Sequence, residues 1–311
     1  MDYKKWLSLI GVIIFVYILW HIGWTDLTSS FKKINLFYFL IAVLMVVPLL
    51  MLYTYKWFVI LKLQGFKVPF FRLFLISLIG IYYGSITPSR GGAIIRSVYL
   101  KDYCKENLGK CTSSFFLERV FDVLAILGLA FFSIFFVANI VNNFLIYLII
   151  FLICFLIAFW FFYSKKRSIK VCRLFYEMFT PKKYKEKLKE IFDSFYESLP
   201  PIRKCYNSFF IVLLYWLGDY IFAYIVALSF GFKISFFAFL SIIPIVTFIS
   251  MIPITINGLG TRELTMGFLF GKFGVPFSDV VAFSVLSMFL VLIIPSLAGF
   301  FISLKWKDFK S

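Results

Sequence analysis

Six apolar stretches, at residues 6–24, 36–61, 119–138, 142–163, 207–229 and 280–304, are each long enough for one helix to cross a bilayer. Such a crossing takes about 20 residues for roughly 30 Å of hydrocarbon. Lipid offers no water to backbone N–H and C=O groups, so a chain of this kind satisfies them internally and is helical there. Composition agrees: 62% of the residues are hydrophobic and 15% charged, against roughly 25% charged in an ordinary soluble domain. A soluble fold is excluded. The excess of 32 Lys and Arg over 15 Asp and Glu, a net charge of +17, is matched in so apolar a chain to an anionic membrane face, and nucleic acid is not expected as a partner.

The single His and the five cysteines, Cys104, Cys111, Cys154, Cys172 and Cys205, lack the spacing of a zinc, haem or iron–sulfur site. No metal or cofactor is expected, and the thiols are expected to be reduced. The run 6–24 follows Lys4 and Lys5 as a signal peptide would, but it ends in Trp20 and Trp24 without a small-residue cleavage site, so it reads as a retained first span.

Two more apolar regions, 70–103 and 234–276, are too long for one helix and are broken at Thr87-Pro88-Ser89-Arg90-Gly91-Gly92 and at Ile256-Asn257-Gly258-Leu259-Gly260-Thr261-Arg262-Glu263. Basic residues decide how they run, because Lys and Arg in short loops concentrate on the cytoplasmic side. Residues 164–206 carry twelve basic residues against five acidic ones, which places this segment inside, together with both termini. The uncharged turn at 138–143 is outside. A single crossing by 70–103 would put Lys165 outside, against that count. The conflict disappears if 70–103 is a re-entrant helical hairpin entering from the cytoplasm and 234–276 one entering from outside.

The expected architecture is therefore an all-α polytopic membrane protein with about six full spans and two re-entrant hairpins, eight plain spans being the alternative. Residues 1–311 form one membrane domain, with inverted halves of approximately 1–140 and 141–304. Such repeats bring broken helices together near the bilayer midplane in many transporters. Within 164–206, Leu188, Ile191, Phe192, Phe195, Tyr196 and Leu199 share a helix face, and this basic amphipathic helix is expected on the inner leaflet.

Lys56, Arg90, Arg96, Glu118, Arg119, Asp122, Asp219, Arg262 and Glu263 lie at or inside the membrane boundary. A charge at the centre of a span costs about 2.5–3.5 kcal/mol on insertion scales, so these groups should face one another, water or a ligand. Asp219 is deepest, and Arg262 is its expected counter-charge. Glu118 and Asp122 share a helix face and need a cation, for which Arg90 or Arg96 is the natural candidate. Lys56 is expected to snorkel to the inner surface. The glycines at the breaks, Gly91, Gly92, Gly258 and Gly260, permit close backbone approach. Backbone N–H groups there and Arg90, Arg96 and Arg262 suit a phosphate, since helix N-termini attract anions and arginine forks onto phosphate oxygens. Glu118, Arg119, Asp122, Asp219 and Glu263 would then balance charge or carry a coupling proton. No catalytic residue is assigned.

Thr87-Pro88-Ser89-Arg90-Gly91-Gly92, Arg96 with Leu100-Lys101, Glu118-Arg119-Val120-Phe121-Asp122 and Asn257-Gly258-Leu259-Gly260-Thr261-Arg262-Glu263 together resemble the flippase-like membrane domain family named after the membrane region of bacterial lysylphosphatidylglycerol synthases. Asn257 stands where that family's loop has glycine, and Gly92 where many members carry an acid. The resemblance implies a protein of the cell membrane associated with moving lipids between leaflets or with lipid-linked glycan pathways. It does not imply aminoacyl transfer, which belongs to a separate soluble domain in the bifunctional bacterial proteins; six residues follow Lys305, and that domain is not expected here.

The leading expectation is thus an ATP-independent flippase or scramblase whose partner is an anionic phospholipid or polyprenyl-phosphate lipid. A membrane transferase acting on a lipid phosphate and a noncatalytic scaffold are the alternatives. The topology makes a checkable statement: in a cysteine-free background, Ser89→Cys and Asn257→Cys should resist membrane-impermeant thiol reagents. Ready labelling of both, each from an opposite outer face, would show that the two breaks are ordinary loops.

Overall fold

Two breaks in otherwise apolar helices set the architecture. In a computed structural model, which describes residues 15–137, 146, 149, 152, 153, 156, 157, 160, 185–251, 255 and 258–306, every regular element among the described residues is a helix. The turn expected at 138–143, most of the stretch 142–163, the inner segment up to 184, Ile256, Asn257 and the chain ends lie outside them.

Residues 15–22 are helical, and Gly23, at φ 80°, starts a second helix, α1 (Trp24–Lys32). The long α2 (Leu36–Leu63) is begun by Asn35, whose side-chain oxygen accepts the amides of Phe37 and Tyr38 at 3.0 and 3.5 Å, satisfying donors that a helix start leaves open. The first broken region becomes α3 (Phe70–Ser85), a 3₁₀ turn at Pro88–Ile94 and α4 (Ile95–Cys104). Next come α5 (Leu108–Val137), α6 (Lys185–Glu197) and α7 (Tyr206–Ser229). The second broken region becomes α8 (Phe236–Met251) and α9 (Thr261–Gly271), and α10 (Phe277–Leu304) follows. Helices α2, α7 and α10 are long and apolar enough to cross a membrane, which makes the chain a polytopic membrane protein.

Helix α10 contains a π-helical segment at Phe289–Ile293, just before Pro295. Proline has no N–H to donate and its ring crowds the preceding turn; widening that turn accommodates it. Helix α5 begins at Leu108, well before the apolar stretch at 119, because its first turns are polar on sequence but are helical and packed against protein.

The expected inner-leaflet helix is one such neighbour. The backbone of α6 at Ile191 runs so close to Gly109 that a β-carbon there would lie 2.0 Å from the Ile191 carbonyl, and Phe195 meets Phe116 edge to face at 5.6 Å. Asn107 donates to Glu190 at 2.8 Å. Part of the apolar face of this helix thus docks on α5, where burial against protein satisfies the same hydrophobic demand.

Helix pairing is reciprocal. Helix α2 packs on α7, α3 on the C-terminal half of α10, and α5 on α8. Within each broken region the two arms also touch, α3 against α4 and α8 against α9. The α3–α10 crossing depends on Gly299, where a β-carbon would lie 2.1 Å from the carbonyl oxygen of Leu78. Small residues allow this backbone approach, the main source of helix association where lipid removes the hydrophobic drive. Gly299→Val should accordingly lower the thermal unfolding midpoint in detergent, with overpacking of about 1–3 kcal/mol. Gly128→Ala, where nothing lies within 4 Å of the added carbon, should leave the midpoint unchanged or slightly raised.

Candidate functional site: a charged cavity between the two helix breaks

The most costly side chains in the bundle are held in one cluster. Lys56, from the C-terminal third of α2, is 1% exposed, and Glu118 and Asp122 on α5 are 0% and 1% exposed. The Lys56 ammonium lies 2.6 Å from Asp122 and 3.2 Å from Glu118. Arg96, from the first turn of α4, ion-pairs with Glu118, and Arg119 reaches Asp122 at 3.4 Å. Trp216 on α7 donates its indole N–H to Asp122 at 3.0 Å. The i, i+4 spacing of the two acids, repulsive by itself, lets one cation, Lys56, bridge them, while Arg96 and Arg119 each pair with one. Aromatic rings complete the enclosure: the Lys56 ammonium lies 4.5 Å from the ring centre of Tyr215 and 4.9 Å from that of Tyr53, and the Arg96 guanidinium 4.6 Å from that of Trp57. A cation over a ring face is attracted by its quadrupole.

Two sequence expectations change here. Lys56 does not snorkel; it is locked between the acids, because a buried pair satisfies its charge where lipid could not. Arg96, expected among the phosphate ligands, is fully buried against Glu118 and does not line the cavity described below. Its place is prepared by Gly80 on α3, where a β-carbon would lie 3.2 Å from the Arg96 side chain. Of the two cations considered for Glu118 and Asp122, Arg96 is the one that meets Glu118.

The second break is held by a smaller unit. Glu263 accepts the Gly260 amide at 2.7 Å, closing the start of α9, and Arg262 at 3.0–3.1 Å. Ser284 of α10 donates to the same carboxylate at 2.5 Å and accepts from Arg262 at 2.6 Å. Arg262 therefore pairs with its own neighbour, and no ion pair joins it to Asp219 among the described residues; this corrects the expected Asp219–Arg262 pair. Adjacent residues on a helix do not ordinarily face each other, but Ser284 folds the guanidinium back onto the carboxylate.

At the first break Arg90 adopts φ 54°, a left-handed conformation uncommon for a non-glycine residue and concentrated at functional sites. Gly92 is required for close approach: a β-carbon there would meet the Tyr83 carbonyl at 2.2 Å. Its amide donates to the Thr87 hydroxyl at 2.7 Å. The amides of Gly92 and Gly260 are thus committed inside the breaks, contrary to the expectation that they point at a ligand. Gly258, at φ 74°, closes on Ser250, whose Cβ would lie 2.8 Å from an added carbon. At Gly91 nothing lies within 4 Å of that position.

Between the breaks is a cavity of about 240 Å³. Arg90 from the first break, Arg262 from the second, Arg119 and Asp122 from α5 and Asp219 from α7 all line it. Neither Arg90 nor Asp219 is in an ion pair among the described residues, whereas Arg119 and Arg262 are held by acids yet remain 29% and 21% exposed. A space lined by three guanidinium groups, inside a bundle of apolar helices, is suited to an anion. Among the described residues no group of three or more His, Cys, Asp or Glu could hold a metal.

Comparison with known proteins gives the lineage: residues 7–299 match the family model described as the lysylphosphatidylglycerol synthase TM region. The chain belongs to that family. Membership covers both breaks and all the charges described above. Two archaeal relatives are similar from end to end. One is a UPF0104 membrane protein of Pyrococcus horikoshii, 23% identical over 324 aligned positions that span 97% of each chain. The other is a UPF0104 membrane protein of Methanocaldococcus jannaschii, 23% identical and covering 94% of this chain and 92% of its own length. In this member of the family, Tyr215, Trp216 and Ser284 join the site although nothing marked them in the sequence as a linear string; Lys56 carried a usable signal, a lone charge deep within an apolar stretch.

Removing one partner of a buried ion pair typically costs about 3–5 kcal/mol. Lys56→Met should lower stability in detergent by that order, and Lys56→Met combined with Asp122→Asn should recover part of the loss. Purely additive losses would show that the two charges do not interact.

Proposed function

We propose that this protein moves an anionic lipid, a phospholipid or a polyprenyl-phosphate lipid, between the leaflets of the cell membrane without ATP. The observation that carries this reading is the meeting of both helix breaks at one cavity lined by Arg90, Arg119 and Arg262. A phosphate crossing hydrocarbon loses its hydration, at a cost of several kcal/mol or more. Guanidinium groups replace that hydration, while the acyl chains stay in lipid. Release has to follow binding; Asp122 and Glu263, already engaged with Arg119 and Arg262, compete with the phosphate and keep the cations from trapping it. Arg96 acts in this scheme as a positioning residue, holding α4 to α5 through Glu118.

The route between leaflets follows from an inverted repeat. The pairing of α3 with α10 and of α5 with α8, around a central α2–α7 contact, is what two related halves of opposite orientation would produce. With both termini cytoplasmic, the broken regions act as re-entrant hairpins, and rocking of one half against the other exposes the cavity to each side in turn. Family membership supports a role concerned with lipids. The match is to a membrane region, which favours transport over transfer chemistry.

In proteoliposomes the purified protein should accelerate exchange of a fluorescent anionic phospholipid in the absence of ATP. Arg90→Gln, at a cavity arginine in no ion pair among the described residues, should reduce the rate at least severalfold while leaving the unfolding midpoint within a few degrees of the parent. Exchange at the protein-free rate for every anionic lipid, with folded protein and an imposed proton gradient, would refute transport and favour the scaffold.

A further inference from the structure

The charges around the cavity do not cancel. Lys56, Arg96 and Arg119 surround two acids, Glu118 and Asp122, which leaves one positive charge over. Arg262 is matched by Glu263. Arg90 and Asp219 both line the cavity and are in no ion pair among the described residues, and their charges offset each other. The described residues of the site therefore carry one net positive charge in a setting where uncompensated charge is expensive.

A ligand bearing a single negative charge makes the sum zero. A phosphodiester joined to an uncharged group has that charge; a zwitterionic diester has none, and a phosphomonoester approaches two at neutral pH. The wall offers a second criterion. Asp219 lines the cavity, and Ser287, also a lining residue, has a buried hydroxyl with no hydrogen-bond partner among the described residues. Thr247 and Ser250, from α8, also line the cavity. An ionised carboxylate only accepts hydrogen bonds, so it is complementary to hydroxyl groups and is repelled by a second phosphate oxygen. The volume of about 240 Å³ exceeds what a bare phosphate fills.

We infer that the cavity is built for the headgroup of a monoanionic phosphodiester lipid carrying uncharged hydroxyl groups, with the phosphate at Arg90, Arg119 and Arg262 and a hydroxyl donating to Asp219. This rests on the proposed transport role but narrows it from anionic lipids in general to one charge and one donor pattern. Two sources share the chemistry, a glycerophospholipid with a polyol headgroup and a polyprenyl monophosphate bearing a sugar.

The full-length protein in vesicles would be tested with labelled phosphatidylglycerol, phosphatidylmethanol, phosphatidic acid and phosphatidylcholine, and separately with a glucosyl monophosphopolyprenol. Phosphatidylmethanol has the same charge as phosphatidylglycerol but no hydroxyl. Phosphatidylglycerol or the glycosylated lipid, whichever is the source, should exchange about tenfold faster than phosphatidic acid or phosphatidylcholine and severalfold faster than phosphatidylmethanol. Asp219→Asn should abolish the advantage over phosphatidylmethanol and shift preference toward phosphatidic acid. Equal rates for the hydroxylated lipids and phosphatidylmethanol, or an unchanged ratio in Asp219→Asn, would overturn the inference while leaving transport standing. A binding measurement separates the two in the other direction. In detergent, glycerophosphoglycerol or glucose 1-phosphate methyl ester should raise the unfolding midpoint of the parent more than glycerophosphocholine or inorganic phosphate does, and lose that advantage in Asp219→Asn. Stabilisation of this pattern without any lipid exchange would keep the headgroup assignment and remove the transport role; no discrimination among the four would overturn the assignment.

Discussion

The bridge from Lys56 to Glu118 and Asp122 is the contact on which the remaining arrangement depends. It joins α2 to α5 in the interior, and each acid brings a further cation with it: Arg96 ties α4 to Glu118, and Arg119 is turned toward the cavity by Asp122. None of these groups could face lipid, so their mutual compensation dictates which sides of three helices meet. The first broken region is fixed by the same contact, since Arg96 lies directly beyond the break and packs against Gly80.

The second break achieves a comparable result with fewer groups. One carboxylate, Glu263, caps its own helix, holds Arg262 and receives Ser284 from α10. Both breaks therefore aim one arginine into the cavity by different means: Arg90 through a left-handed backbone, Arg262 through a salt bridge and a serine. The π segment of α10 lies beside this space, with Val291 on the cavity wall. Widened turns often occur where a helix serves a site as well as a core. Stability and function share residues here, and a substitution at the cavity must be read for both.

Much of the helical layout was legible in order. The stretches at 36–61, 207–229 and 280–304 correspond to helices Leu36–Leu63, Tyr206–Ser229 and Phe277–Leu304, because hydropathy over a span's length is a local property. The interruptions at 87–92 and around 258–260 were equally visible, since proline and paired glycines act through their own backbones. The paired acids at 118 and 122 announced a need for cations by spacing alone.

What the sequence determined, then, was that this chain is helical, membrane-embedded, broken at two places and burdened with inward charges, all consequences of residues acting on near neighbours. Which charges meet was decided only by the tertiary structure. Lys56 and Asp122 are 66 positions apart, Arg262 chose Glu263 over Asp219 because Ser284 from another helix folds it back, and α6 found α5 because Gly109 leaves room for its backbone. Pairing in an apolar interior is a competition among all groups that the fold brings within a few ångströms. No local pattern encodes that distance, and so the cavity, with Arg90 and Asp219 in no ion pair among the described residues, came into view only with the packed helices.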